Sequence, residues 1–155
     1  MALTPLNFSD LSFIIVDDEP ESLKATEYVL KNAKAKMVHN CTTSKAALDI
    51  LNNLNKKISC VISKYALEPV SGLELLQRIR EGRNLGMVRD TRFVLVTPYS
   101  NVDVVRAAIT LDVDGYAVRP VSQHKMIQVL TQAFARKRII QSGSHYSAVE
   151  LPKKD

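Results

Sequence analysis

Asp17, Asp18, Lys64, Thr97 and Arg119 are the residues whose types and placement could do chemistry, because each directly follows or closes a short apolar run. A strand that runs into a loop and then a helix leaves its last residue at the carboxyl edge of a parallel sheet, where open α/β folds keep their sites. Adjacent carboxylates such as Asp17 and Asp18 suit a hard cation: Mg²⁺ takes one or two carboxylates and completes its shell with phosphate and water. Lys64 changes that chemistry. An ammonium beside the acidic pair meets them with about 1 to 4 kcal/mol of attraction at about 4 Å, depending on the local dielectric. The expectation is that Lys64 pairs with Asp17 or Asp18, fixes the site in one state and leaves Mg²⁺ only a weak, vestigial place at Asp17 and Asp18. A second reading makes the two aspartates relics, one of them capping the first helix. A third makes Lys64 a Schiff-base nucleophile, but carboxylate neighbours raise its pKa rather than lower it.

The elements that must position these residues follow from periodicity. Apolar runs at 12–16, 36–41, 60–63, 92–96 and 114–118 read as five strands, and the first lacks polar alternation, as in the centre of a parallel sheet. Between them lie amphipathic stretches. Leu23, Thr26, Leu30 and Ala33 share one helical face, as do Val104, Ala108 and Leu111, and Met126, Leu130, Ala133 and Phe134. The starts are marked by Asp18 or Glu19 with Pro20, by Thr42-Thr43-Ser44, by Ser71 with Glu74 as a capping box, by Ser100, and by Ser122. The run 82–86, Gly-Arg-Asn-Leu-Gly, lengthens one connection. Alternating strands and helices predict a parallel sheet covered on both faces. Residues 1–10 read as a leader, 11–138 as the domain, and 139–155 as a flexible tail or linker.

Composition narrows the function. The chain has 155 residues, enough for one domain with a substantial core, and it carries 21 basic against 16 acidic residues, a net charge of +5. The basic residues are scattered and have no aromatic interleaving, which argues against a nucleic-acid platform. His39, His124 and His145 are too dispersed for a metal site or a proton relay. No apolar run is long enough to span a membrane, and no basic-then-apolar leader opens the chain.

In order along the chain, Asp17-Asp18, Gly72-Leu73-Glu74-Leu75-Leu76, Thr97, Tyr116 and Arg119-Pro120 resemble the receiver domains of two-component response regulators. The resemblance covers about residues 11 to 138 and implies a flavodoxin-like (βα)5 fold, a doubly wound parallel sheet of order 2-1-3-4-5. In that order the strands of Cys41 and Cys60 both flank the first and do not touch, so no disulfide is expected, and a reducing cytoplasm is the simpler setting. The family's phosphoacceptor is an aspartate eight residues before the glycine at position 72; here that place is Lys64. Its lysine position is Arg119, and Glu68 stands where a proline is usual. Thr97 and Tyr116 match its switch pair. The resemblance thus implies an atypical receiver in signal transduction, a pseudo-receiver with no catalytic activity, no required cofactor and no aspartyl phosphorylation. It would act by protein contact through the fourth helix, fifth strand and fifth helix, including Tyr99, Arg106, Tyr116 and Gln123, as a homodimer or with another protein. The alternatives are a module sensing a nucleotide or another anion, and a receiver phosphorylated elsewhere.

Overall fold

A computed structural model describes residues 4–53, 55–82, 88–98 and 101–152. Its strands are β1 (Ser12–Val16), β2 (Met37–Cys41), β3 (Cys60–Lys64), β4 (Arg92–Thr97) and β5 (Gly115–Val118). All pair in parallel in the order β2-β1-β3-β4-β5, as the resemblance implies. The helices are α1 (Pro20–Asn32), α2 (Ser44–Leu51), α3 (Gly72–Glu81), α4 (Val102–Thr110), α5 (Gln123–Ala135) and a short α6 (Gly143–Ser147).

Alternation along each strand sorts the core into two layers. Ile14, Val16, Val61, Phe93 and Leu95 meet Leu48 of α2, Leu73, Leu76 and Ile79 of α3, and Val104 and Ala108 of α4. Phe13, Ile15, Cys60, Ile62, Val94 and Val96 face the other way, onto Val29 and Leu30 of α1 and Met126, Leu130 and Ala133 of α5. The expected inward stripes thus hold where they matter most, and Leu23, Ala33 and Phe134 sit half-buried at the margins.

Helix starts follow the side chains that can accept backbone N–H groups. Thr43 accepts from Ala46, Ser71 from Glu74, and Ser122 from Lys125. The capping box at α3 is only half built, because the Glu74 carboxylate accepts from Arg78 instead. At α4 the cap is Asn101, which accepts from Asp103 and Val104; Ser100 and the run 83–86 lie outside the described residues. Glu19 is the residue preceding α1, but its side chain caps nothing, and Asp17 accepts the Glu19 N–H at 2.9 Å.

Both chain ends depart from the sequence expectation. Phe8 is buried in a short 3-10 turn (Phe8–Asp10) and stacks on Phe13 at 5.9 Å, so the leader joins the α1–α5 layer. Residues 139–152 do not form a free tail: α6 packs on α3, Tyr146 is fully buried, and Gln77 donates to the carbonyls of Tyr146 and Val149 at 2.9 Å each. Gly143 permits this approach, since a Cβ there would stand 2.8 Å from the Glu81 carbonyl oxygen. The polar run 141–144 lacks periodicity because the segment is anchored by the isolated side chains of Ile140, Tyr146, Val149 and Leu151 rather than by a helical stripe.

Beneath this segment lies a buried ionic cluster. Arg80, on the inner face of α3 four residues after Leu76, is fully buried and bonds the carbonyls of Leu111, Arg89, Thr91 and Asp112 and the Asp114 carboxylate. Asp114 also pairs with Arg92 at 3.2 Å and Arg138 at 2.8 Å. Burial pulls the Arg80 pKa down while Asp114 opposes it. A buried guanidinium is tolerable only when its donors are matched in this way.

Candidate functional site

The carboxyl ends of β1, β3, β4 and β5 bring Asp17, Lys64, Thr97 and Arg119 to one edge of the sheet. Gly72 fixes the loop after β3. Its N–H bonds the Tyr65 carbonyl at 2.8 Å, and a Cβ on it would lie 2.4 Å from the Lys64 carbonyl oxygen, so only glycine closes the turn here. The glycine at position 72 therefore has a steric cause.

Lys64 extends its ammonium to two carboxylates, Asp18 Oδ1 and Glu19 Oε1, each at 2.8 Å. The expected pairing with Asp18 forms. Asp17 instead pairs with Arg119 at 2.5 Å, and the second partner of Lys64 is Glu19, which the sequence reading left as a cap. The other oxygen of Glu19 lies 3.3 Å from Arg119, so one carboxylate bridges both cations. A signal for this existed in the third consecutive acidic residue, but only the turn into α1 brings its side chain back over the sheet edge.

The electrostatics follow from exposure. Lys64 is only 11% exposed, and burial works against its charge; the hydrogen bonds and charges of Asp18 and Glu19 outweigh that, leaving its pKa above the ordinary lysine value. Glu19, 55% exposed, is held below the ordinary range, first by the hydrogen bond from Lys64 and then by the charges of Lys64 and Arg119. Burial pushes the Asp17 carboxyl up, against the Glu19 N–H and Arg119, which hold it down. Thr97 is buried and Tyr116 half-buried on neighbouring β5.

This donor set does not fit Mg²⁺. Asp17 and Asp18 already have cationic partners, the ammonium of Lys64 stands against them as a like charge to any metal, and no three His, Cys, Asp or Glu side chains converge on a metal position among the described residues. His39 is half-buried, while His124 and His145 are exposed on separate helices. Cys41 and Cys60 are both free thiols, in opposite core layers.

Five parallel strands in this order, with acidic, hydroxyl and cationic side chains gathered at one edge, define a doubly wound, flavodoxin-like α/β domain. A profile of the response regulator receiver domain matches residues 13–131, and the chain belongs to that family. It is similar to the transcriptional regulatory protein CitT of Halalkalibacterium halodurans, 30% identical over 66% of this chain and 42% of that protein. It is also similar to the two-component response regulator ORR26 of Oryza sativa subsp. japonica, 24% identical over 82% of this chain and 21% of that protein. The chain thus spans less than half the length of these curated relatives. In fold it resembles the chemotaxis response regulator CheY4 of Vibrio cholerae (TM-score 0.70, 15% identity, 80% of this chain and 98% of that one). A signal receiver domain of an HD domain-containing protein from Pseudomonas fluorescens is similar as well (TM-score 0.71, 21% identity, 81% and 95%). Among the described residues no helix is long and apolar enough to cross a membrane.

Proposed function

We propose that this receiver domain transmits its signal by protein contact, without aspartyl phosphorylation and without a bound Mg²⁺. The reading rests on one observation: the ammonium of Lys64, at the acceptor position, is held 2.8 Å from both Asp18 and Glu19. An ammonium so paired offers no carboxylate oxygen for phosphoryl transfer and no lone pair for attack, and with Arg119 on Asp17 it closes the site's charges on one another. Thr97 then has no phosphoryl group to follow, and Tyr116 keeps one setting.

The contact surface is the α4-β5-α5 face. Arg106 and Gln123 are exposed there, and Tyr116 is half-buried; Tyr99 lies outside the described residues. Val102 and Ile109 of α4 and Val118 of β5 add large exposed apolar side chains, which supports a protein partner or a second copy of the chain on this side.

The test is the intact mass of the natural chain and of Lys64→Asp after incubation with Mg²⁺ and acetyl phosphate. The natural chain gains no phosphoryl group, and the variant gains one. A stoichiometric, base-labile adduct on the natural chain would place the phosphoryl group on another carboxylate and overturn the reading.

A further inference from the structure

Between α1 and α5, directly under the Lys64–Glu19–Arg119 bridge, lies a cavity of about 660 Å³. Its floor is the side of the sheet formed by Ile15, Ile62 and Val96, and Val29 and Met126 line its walls. Its rim carries Asp17, Glu19, Lys64 and Arg119. The size lies within the range of small-molecule sites, which pair a mostly apolar lining with a few convergent polar groups.

The geometry points to a binding site for a small organic carboxylate, its apolar body in the α1–α5 cleft and its carboxylate on Lys64 and Arg119, where Glu19 now sits. Glu19 shows the chemistry the two cations accept. One of its oxygens is 2.8 Å from Lys64 and the other 3.3 Å from Arg119, so the pair is spaced for the two oxygens of one carboxylate. Asp17 keeps its own bond to Arg119, and Asp18 keeps its bond to Lys64, so neither cation depends on Glu19 alone. Glu19 is the most displaceable member of the set. It is 55% exposed, and its side chain makes no capping bond to α1. Exchange of one carboxylate for another keeps both cations paired while the 55% exposed Glu19 swings into solvent, so the ligand's gain comes from apolar area entering the cleft. Glu19 acts as a tethered competitor for the same site.

This inference shares with the proposed function only the closed charge set, and its outcome does not depend on whether the chain takes up phosphate. The test is titration of the natural chain and of Glu19→Gln with 4-phenylbutyrate, with 4-phenylbutanol and acetate as probes lacking the charge and the body. Affinity is read by calorimetry, and location by methyl NMR shifts. Glu19→Gln binds the acid about tenfold more tightly than the natural chain does, because a charge-assisted pair of hydrogen bonds loses its internal rival. The alcohol is insensitive to the substitution, acetate binds neither chain, and the shifts fall on Ile15, Ile62 and Val96. The proposal is overturned if the acid binds both chains equally, binds no better than the alcohol, binds neither chain, or shifts methyls elsewhere.

Discussion

Lys64 occupies a place where two exposed carboxylates reach it, and the pH dependence of its contribution follows its own protonation and that of Glu19. Removing it by Lys64→Met leaves Asp18 and Glu19 in contact with solvent, at 49% and 55% exposure, so the loss is small, about 1 kcal/mol or less. The sign with pH follows from the shifts. Lys64 has a raised pKa in the folded state, so its contribution is complete below the unfolded lysine value and fades as pH rises through the folded one. Glu19 has a lowered pKa, so its contribution is complete above the unfolded glutamate value and fades as pH falls. The gap in Tm between the natural chain and Lys64→Met is therefore widest between about pH 5 and 10 and narrows on both sides. A gap that stayed constant from pH 3 to 11 would show that Lys64 stabilises by packing alone.

At the scale of elements, the C-terminal segment docks as a unit whose largest buried side chain is Tyr146, with Ile140, Val149 and Leu151 packed beside it. Tyr146 is fully buried on α3, donates its hydroxyl to Asp112 at 2.7 Å and accepts from the Gln141 N–H at 2.9 Å. Tyr146→Phe keeps the packing and loses those bonds, at about 1 kcal/mol. Tyr146→Ala empties the site and costs about 3 kcal/mol or more. That loss cannot exceed the cost of undocking the whole segment, so truncation after Arg138 sets its upper limit in urea unfolding. A Tyr146→Ala loss under about 0.5 kcal/mol, the size of an ordinary surface change, would mean that α6 adds nothing to the domain.

For the whole molecule, the two thiols report the integrity of the sheet. Burial raises the Cys41 thiol pKa to about 11, and the neighbouring Asp49 adds to the shift. Cys60, completely buried in central β3, is raised further, again chiefly by burial. Thiolate is the reactive form, so iodoacetamide at pH 8 leaves both unmodified in the native protein and labels both in denaturant. Rapid native labelling of Cys60 would mean that the sheet opens locally at β3.

Apolar period and strand ends are local properties, so the five strands, the two-sided cover and the edge carrying Asp17, Lys64, Thr97 and Arg119 were legible in the residues alone. So was the replacement of a carboxylate by an ammonium at position 64. Which cation pairs with which carboxylate was settled by packing in three dimensions. Glu19 reaches Lys64 and Arg119 because α1 starts by turning its N-terminus over the sheet, and that leaves Asp17 to Arg119. Arg80 reads in the sequence as one of the scattered basic residues of a solvated surface, and the structure instead buries it completely, because its partner Asp114 lies 34 residues away along the chain and leaves no local signal. The docking of residues 139–152 was illegible for the same reason: a single buried tyrosine and a few carbonyl bonds carry no periodicity, and their partners come from α3 and the loop before β5.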